Sequence, residues 1–240
     1  MHGTNRIMKV EHADNGSLLV HSVFLTVQGE GPFAGRPAVF VRLGGCSLAC
    51  SWCDTDFDEA ASQRQAPRLL AQQVAMLAGP VSLCVITGGE PMRQNLVPFL
   101  RALRDENMEA QIETAGIHWN EGLEQMLDAE QKAISIVCSP KLPYIHEYIE
   151  AYACAFKYIV SAAEPKSRAT GLPLYAVSQH GHPNHGRMFV VLNKKELVYV
   201  QPLDENDAAR NKANLDYCIG LAQSFGYRLS IQQHKVIGLP

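Results

Sequence analysis

Hydrophobic positions along the chain alternate between two rhythms. Short apolar runs at residues 23–27, 38–43, 81–86, 109–113, 134–138, 156–160, 188–192, 198–201 and 227–231 are of strand length. Several are apolar at successive positions, as strands covered on both faces are. Between them lie amphipathic stretches of helical length at 68–77, 96–106, 122–129 and 207–225, the last carrying Ala209, Ala213, Tyr217 and Leu221 four residues apart. Strand alternating with helix predicts an α/β fold of parallel strands joined by crossover helices, with functional groups collected at the carboxyl ends of the strands. Polar motifs do sit just past apolar runs: Thr87-Gly88-Gly89-Glu90-Pro91, Thr114-Ala115-Gly116, Ser139-Pro140-Lys141 and Gln201-Pro202.

A complete eightfold barrel usually takes about 250 residues. With 240 residues and fewer clear helices than strands, an incomplete, TIM-like barrel of mostly parallel strands fits better. Residues 1–17 are polar and aperiodic and contain Asn15-Gly16, so they read as a flexible arm before a single domain at 18–240. The Gly-, Pro- and His-rich stretch 161–187 reads as a long loop.

Composition narrows the function classes. A chain of this length buries roughly 70–75% of its unfolded surface, enough for a core without disulfides. Its formal charge of -3 offers no basic excess for a phosphate backbone, so nucleic acid is not an expected partner. No run of about 18 apolar residues predicts a membrane span. No short apolar leader with a small-residue cleavage site is present either, and the expected location is cytoplasmic. Of seven cysteines, Cys84, Cys138, Cys154 and Cys218 lie scattered in apolar surroundings and read as core, whereas Cys46, Cys50 and Cys53 fall within eight residues.

Those three thiols follow an apolar run in Gly44-Gly45-Cys46-Ser47-Leu48-Ala49-Cys50-Ser51-Trp52-Cys53. Thiolates are the ligands iron-sulfur clusters need, and full cysteine ligation takes four. With no fourth cysteine nearby, one iron stays open, as in a metal site that must take a ligand. Zinc completed by a histidine and simple burial are the alternatives. Structural zinc usually uses paired knuckles, and neither a second knuckle nor a nearby histidine follows Cys53. The CxxxCxxC spacing with an aromatic before the last cysteine resembles the radical S-adenosylmethionine superfamily. That resemblance implies a radical S-adenosylmethionine core with a 4Fe-4S cluster on Cys46, Cys50 and Cys53. It implies S-adenosylmethionine chelating the open iron, and cleavage of that cofactor to a 5'-deoxyadenosyl radical.

Gly88-Gly89-Glu90-Pro91 is similar to the superfamily's GGEP element, which meets the methionine amino group. Alone it reads equally as a turn. Thr114, Ser139 and Lys141 read as strand exits with capping groups; by resemblance they contact the methionine carboxylate, ribose and adenosine. Asp54 and Gln201 take supporting places on the cofactor side.

Thr26-Val27-Gln28-Gly29-Glu30-Gly31, Arg42, Cys53-Asp54-Thr55, Val200-Gln201-Pro202 and Gln232-Gln233-His234-Lys235 narrow the resemblance to the 7-carboxy-7-deazaguanine synthase family, from about Val23 to the end. That family converts 6-carboxy-5,6,7,8-tetrahydropterin to 7-carboxy-7-deazaguanine with loss of ammonia, in 7-deazaguanine and queuosine biosynthesis. A pterin presents a donor-acceptor edge and a carboxylate, which suit an acceptor such as Glu30, a two-way amide such as Gln28 and a cation such as Arg42. The resemblance adds Val27, His234 and the carboxylate of Pro240 to the substrate side and Mg2+ on Thr55. It also implies a flavodoxin-like electron donor and a homodimer. The segment before Val23 and the loop His180-Gly181-His182-Pro183-Asn184-His185 depart from the family pattern, and the loop reads as solvated rather than metal-binding. The competing functions are a glycyl-radical activating enzyme with a protein partner and a noncatalytic zinc-holding module.

Overall fold

A computed structural model describes residues 6–55, 61–129, 133–176 and 187–239. Nine strands form one sheet: β1 (Leu18–Val27), β2 (Pro37–Leu43), β3 (Gln63–Gln65), β4 (Leu83–Gly88), β5 (Glu109–Thr114), β6 (Ile134–Cys138), β7 (Ala153–Val160), β8 (Val198–Pro202) and β9 (Arg228–Leu229). Their spatial order is β3-β1-β2-β4-β5-β6-β7-β8-β9. Every ladder from β2 to β9 is parallel, and β1 pairs antiparallel with both β2 and β3. The sheet ends on β3 and β9 without closing among the described residues, which is the open, partial barrel expected from the alternation of runs.

The crossovers are α1 (Pro67–Ala78), α2 (Val97–Asp105), α3 (Leu123–Ala129), α4 (Glu147–Tyr152) and α5 (Ala208–Phe225), with α6 (Gln233–Ile237) beyond β9. Helix α1 opens on Pro67, where a missing N–H costs nothing, and buries Leu70, Ala71, Val74 and Ala78 along one face. Leu83, Cys84, Val85 and Ile86 of β4 are all buried, so alternation is absent because both faces are covered.

Four features differ from the sequence reading. Helix α5 buries only Leu221 of the Ala209-Ala213-Tyr217-Leu221 row; its other buried residues are Asn214 and Cys218. Steps of four advance by about 400°, so such a row drifts off any fixed face, whereas steps of four and three hold it. The run 188–192 forms no strand. The Phe189 N–H donates to the Leu142 carbonyl (2.8 Å) and the Val191 N–H to the Tyr158 hydroxyl (3.0 Å), so these donors serve no ladder. Strand β3 and helices α4 and α6 span three, six and five residues, too short to print a period.

The fourth difference lies in the segment set aside as an arm. Ile7 bridges Cys46, the Met8 N–H donates to the Cys46 carbonyl (2.7 Å) and the Glu11 N–H to the Arg93 carbonyl (2.9 Å). Buried Arg93 in turn donates to the carbonyls of Lys9 (2.7 Å) and Gly44 (3.1 Å). Residues 7–11 therefore lie across the cysteine loop, held by backbone bonds that leave no hydrophobic signature. Among the described residues no helix is long and apolar enough to cross a membrane.

Candidate active site at the carboxyl ends of the strands

The parallel strands deliver their following loops to one rim, and there a cavity of about 400 Å³ opens, a size suited to a small organic ligand. Sixteen of the residues singled out above border it: Cys46, Cys50, Cys53, Asp54, Thr55, Gly88, Gly89, Thr114, Ser139, Lys141, Gln201, Val27, Gln28, Glu30, Arg42 and His234. Glu90 does not, and Pro240 and the loop His180–His185 fall outside the described residues.

Strand β2 exits into the cysteine loop. All described cysteines are free thiols; Cys46 is buried, Cys50 and Cys53 half-buried. The Leu48 N–H donates to Cys46 Sγ (3.4 Å), and the Cys53 N–H to the Cys50 carbonyl (3.1 Å). The neighbouring Gly88-Gly89 segment is clamped to this loop: the Gly89 N–H donates to the Leu43 carbonyl (3.1 Å) and the Glu90 N–H to that of Gly45 (3.0 Å). Gly88 has φ +119°, and a Cβ at either glycine would run into the backbone of Leu43 or Gly45. These glycines thus let two loops touch, besides giving the cavity a wall of bare backbone. Burial pushes the Cys46 thiol up and the Cys53 thiol up to about 11, so ligation itself must draw off their protons.

Three free thiols from one loop on one cavity, with the other four cysteines elsewhere, fit a 4Fe-4S cluster with an open iron. Among the described residues no three His, Cys, Asp or Glu side chains converge on a single metal ion. Zinc asks for that convergence; a cubane sets each thiolate on its own iron.

Around the cofactor side, Lys141 Nζ donates to the Ser139 carbonyl (2.9 Å) and to its hydroxyl, and lies 5.3 Å from the centre of the Trp52 ring. Burial holds the Lys141 pKa below its ordinary value. Glu90 sits behind this wall. Its carboxylate accepts from the Thr114 hydroxyl (2.7 Å) and from the N–H groups of Ala115 (2.8 Å) and Met92 (3.0 Å). It shapes the β5 exit from beneath rather than facing the cavity. Gln201 lines the cavity while its Oε1 accepts from Ser230 (3.1 Å).

The opposite wall is a polar network. Gln28 Nε2 donates to Glu113 (3.0 Å) and Gln111 (3.2 Å), its Oε1 accepts from the Glu30 N–H (3.0 Å), and the Thr87 hydroxyl donates to Glu113 (3.1 Å). Glu30 accepts from Gln232 (2.8 Å) and forms an ion pair with Lys157 of β7. Burial acts to raise the Glu30 pKa, but the Lys157 charge and the hydrogen bonds of Lys157 and Gln232 outweigh it and hold the carboxyl below its ordinary value. Arg42 stacks over Phe24 at 4.8 Å and has no carboxylate partner among the described residues. The C-terminal segment completes this side: the Gln233 N–H donates to the Gly29 carbonyl (3.0 Å), and Lys235 bridges Asp54 (2.9 Å) and Asp204 (3.0 Å). Thr55 Oγ1 donates to Asp54 (3.3 Å).

Lys157, Glu113, Thr87, Gln232 and Lys235 belong to this site and carry no role in the sequence reading. Glu113 and Thr87 directly precede Thr114 and Gly88, so their strand-end places were the available signal. Lys157 had another: a lysine inside the apolar run Ala155-Phe156-Lys157-Tyr158-Ile159-Val160 needs a buried partner.

No family model matches this chain. The 7-carboxy-7-deazaguanine synthase of Rhodospirillum rubrum is 36% identical over 99% of both chains. That of Rickettsia prowazekii is 33% identical over all of this chain and 96% of its own. The chain belongs to that family. The R. rubrum and R. prowazekii alignments take in 99% and all of this chain, so those two relatives have residues aligned with the segment before Val23. The crystal structure of QueE from Escherichia coli superposes with a TM-score of 0.66 at 23% identity, covering 92% of this chain and 99% of that one, and so shares its fold. A synthase of this family is a radical S-adenosylmethionine enzyme, and the glycyl-radical activating enzyme and the zinc module find no support.

Proposed function

We propose that this enzyme converts 6-carboxy-5,6,7,8-tetrahydropterin to 7-carboxy-7-deazaguanine with release of ammonia. One observation carries the reading: the three cluster-type thiols line the same small cavity as Gln28, Glu30 and Arg42. Cys46, Cys50 and Cys53 would hold the 4Fe-4S cluster, and Gly88, Gly89, Thr114, Ser139, Lys141 and Gln201 would cradle S-adenosylmethionine. When bound, the cluster and cofactor supply one-electron cleavage and hydrogen abstraction. The chain's own groups bind and orient. Arg42, with no carboxylate partner among the described residues, is assigned the pterin carboxylate, and ionised Glu30 accepts from the pterin's N–H edge. Gln28 has its amide fixed by Glu113 and Gln111, so it presents one orientation only. Val27 and His234 line the same cavity, and Pro240 is assigned to the substrate side.

Thr55 is the proposed protein ligand for Mg2+, which favours oxygen and keeps several waters. A flavodoxin-like donor, a homodimer and a cytoplasmic setting complete the proposal. The test is an anaerobic assay of reconstituted protein with dithionite, S-adenosylmethionine, Mg2+ and the pterin, following 7-carboxy-7-deazaguanine by chromatography. Product is expected, and none from protein with Cys46, Cys50 and Cys53 changed to Ala. A fully loaded enzyme that leaves the pterin unchanged would overturn the assignment.

A further inference from the structure

Lys157 is the one charged side chain of β7, and it projects into the substrate half of the cavity. Its side chain is only 10% exposed and that of its partner Glu30 13%. Charges so placed persist only when paired. The pair is anchored at both ends. The Lys157 carbonyl accepts from the Ser139 hydroxyl (2.9 Å), while Glu30 Oε1 accepts from Gln232 (2.8 Å) and the Glu30 N–H is held by Gln28 (3.0 Å). An ionised carboxylate only accepts and has about four lone-pair sites, so two partners leave room for a ligand; a protonated carboxyl donates at one oxygen.

We propose that Lys157 is a positioning residue that fixes Glu30 as an acceptor-only reader of the pterin N–H edge, and so sets which heterocycle edge the site admits. This rests on the pterin reading above. The groups facing the pair from neighbouring elements are Glu113 of β5, Asp54 of the cysteine loop, Lys141 beyond β6 and His234 of α6. Lys141 is tied to Ser139, and Lys235 to Asp54 and Asp204, so among the described residues Lys157 is the ammonium paired with Glu30. Burial would otherwise favour the protonated acid. The site would then offer an O–H where the pterin also offers N–H.

The test is a double-mutant cycle on anaerobic, cluster-loaded enzyme, titrating 6-carboxytetrahydropterin into wild type, Lys157→Met, Glu30→Gln and the double variant, with kcat and KM measured alongside. Lys157→Met is expected to weaken pterin binding about ten- to hundredfold, the range for a charge-assisted hydrogen bond, through KM rather than kcat. Lys157→Arg should recover most of the loss, and in the Glu30→Gln background the Met substitution should matter less than about threefold. Additive effects, or an Arg variant as weak as the Met variant, would overturn the proposal. Should Lys157→Met fail to load its cluster, Lys157→Gln takes its place in the cycle. A wild type that itself neither binds nor turns over the pterin would instead sink the functional reading, and this inference with it.

Discussion

At the scale of single residues, most side chains facing the cavity are held by others before any ligand arrives, and the holding depends on small residues that admit close approach. Gly29 is the sharpest instance: a Cβ there would overlap the ring and backbone nitrogen of His234, because α6 docks its first turn on this glycine. Gly29→Ala should therefore lift α6 away from the Gln28–Glu30 wall. Relief of such overpacking amounts to about 1–3 kcal/mol, which α6, a five-residue helix with no buried residue, can absorb by moving rather than by unfolding the protein. The expected result is a KM for the pterin raised about tenfold with a urea midpoint close to wild type. A lowered midpoint with an unchanged KM would place the strain in the core instead. Glu90 teaches the complementary point. Its sequence signature suits a ligand contact, yet its carboxylate is consumed by Thr114, Ala115 and Met92, so a motif can owe its form to the wall as well as to what the wall touches.

At the scale of elements, the sequence was legible where length and burial wrote a period and silent where hydrogen bonds did the work. Strands β2, β4, β5, β6 and β8 and helices α1, α2, α3 and α5 stand within a few residues of their predicted places. The segment across the cysteine loop, β3 and α6 are fixed by backbone and polar contacts, which no hydrophobic pattern records. The attachment of α6 can be tested by pH. Asp204 is held down to about 2 by the Asn206 N–H and then by Lys235 and Asn211, below an unfolded value near 3.9. Its contribution is thus present above about pH 4 and lost as pH falls toward about 2. For Lys235 burial acts downward, but Asp54 and Asp204 raise its pKa on balance, so its contribution lasts through about pH 10.4 and fades only above. Asp204→Asn should speed amide exchange of residues 233–237 up to about fivefold at pH 7, the range for a partly exposed pair. The ratio of variant to wild-type exchange should approach one as acid protonates Asp204. A ratio of one already at pH 7 would show that Gly29 and Gln232, not this pair, hold the helix.

For the whole molecule, the open sheet has a consequence for stability. An unclosed barrel leaves β3 and β9 each paired on one side only among the described residues, and the loops that follow the parallel strands come together around the cavity. The proposed cluster and S-adenosylmethionine would touch the exits of β2, β4, β5, β6 and β8 together, so binding energy would act on the cooperative unit rather than on one loop. A ligand at 100 times its Kd adds about 2.7 kcal/mol to the folded state. For a domain of this size each kcal/mol moves Tm by about 2–4 °C, so cofactor addition to the cluster-loaded enzyme should raise the anaerobic Tm by about 5–10 °C. Protein with Cys46, Cys50 and Cys53 changed to Ala should show no such rise, because the open iron that captures the cofactor is gone. The residue motifs predicted who faces the cavity; only the arrangement of the strand exits predicts that their shared ligand stabilises the molecule as one body. A cofactor-induced rise in the triple-Ala variant equal to that of the loaded enzyme would mean that the cradle binds S-adenosylmethionine without the cluster, and would assign the coupling to the loops alone.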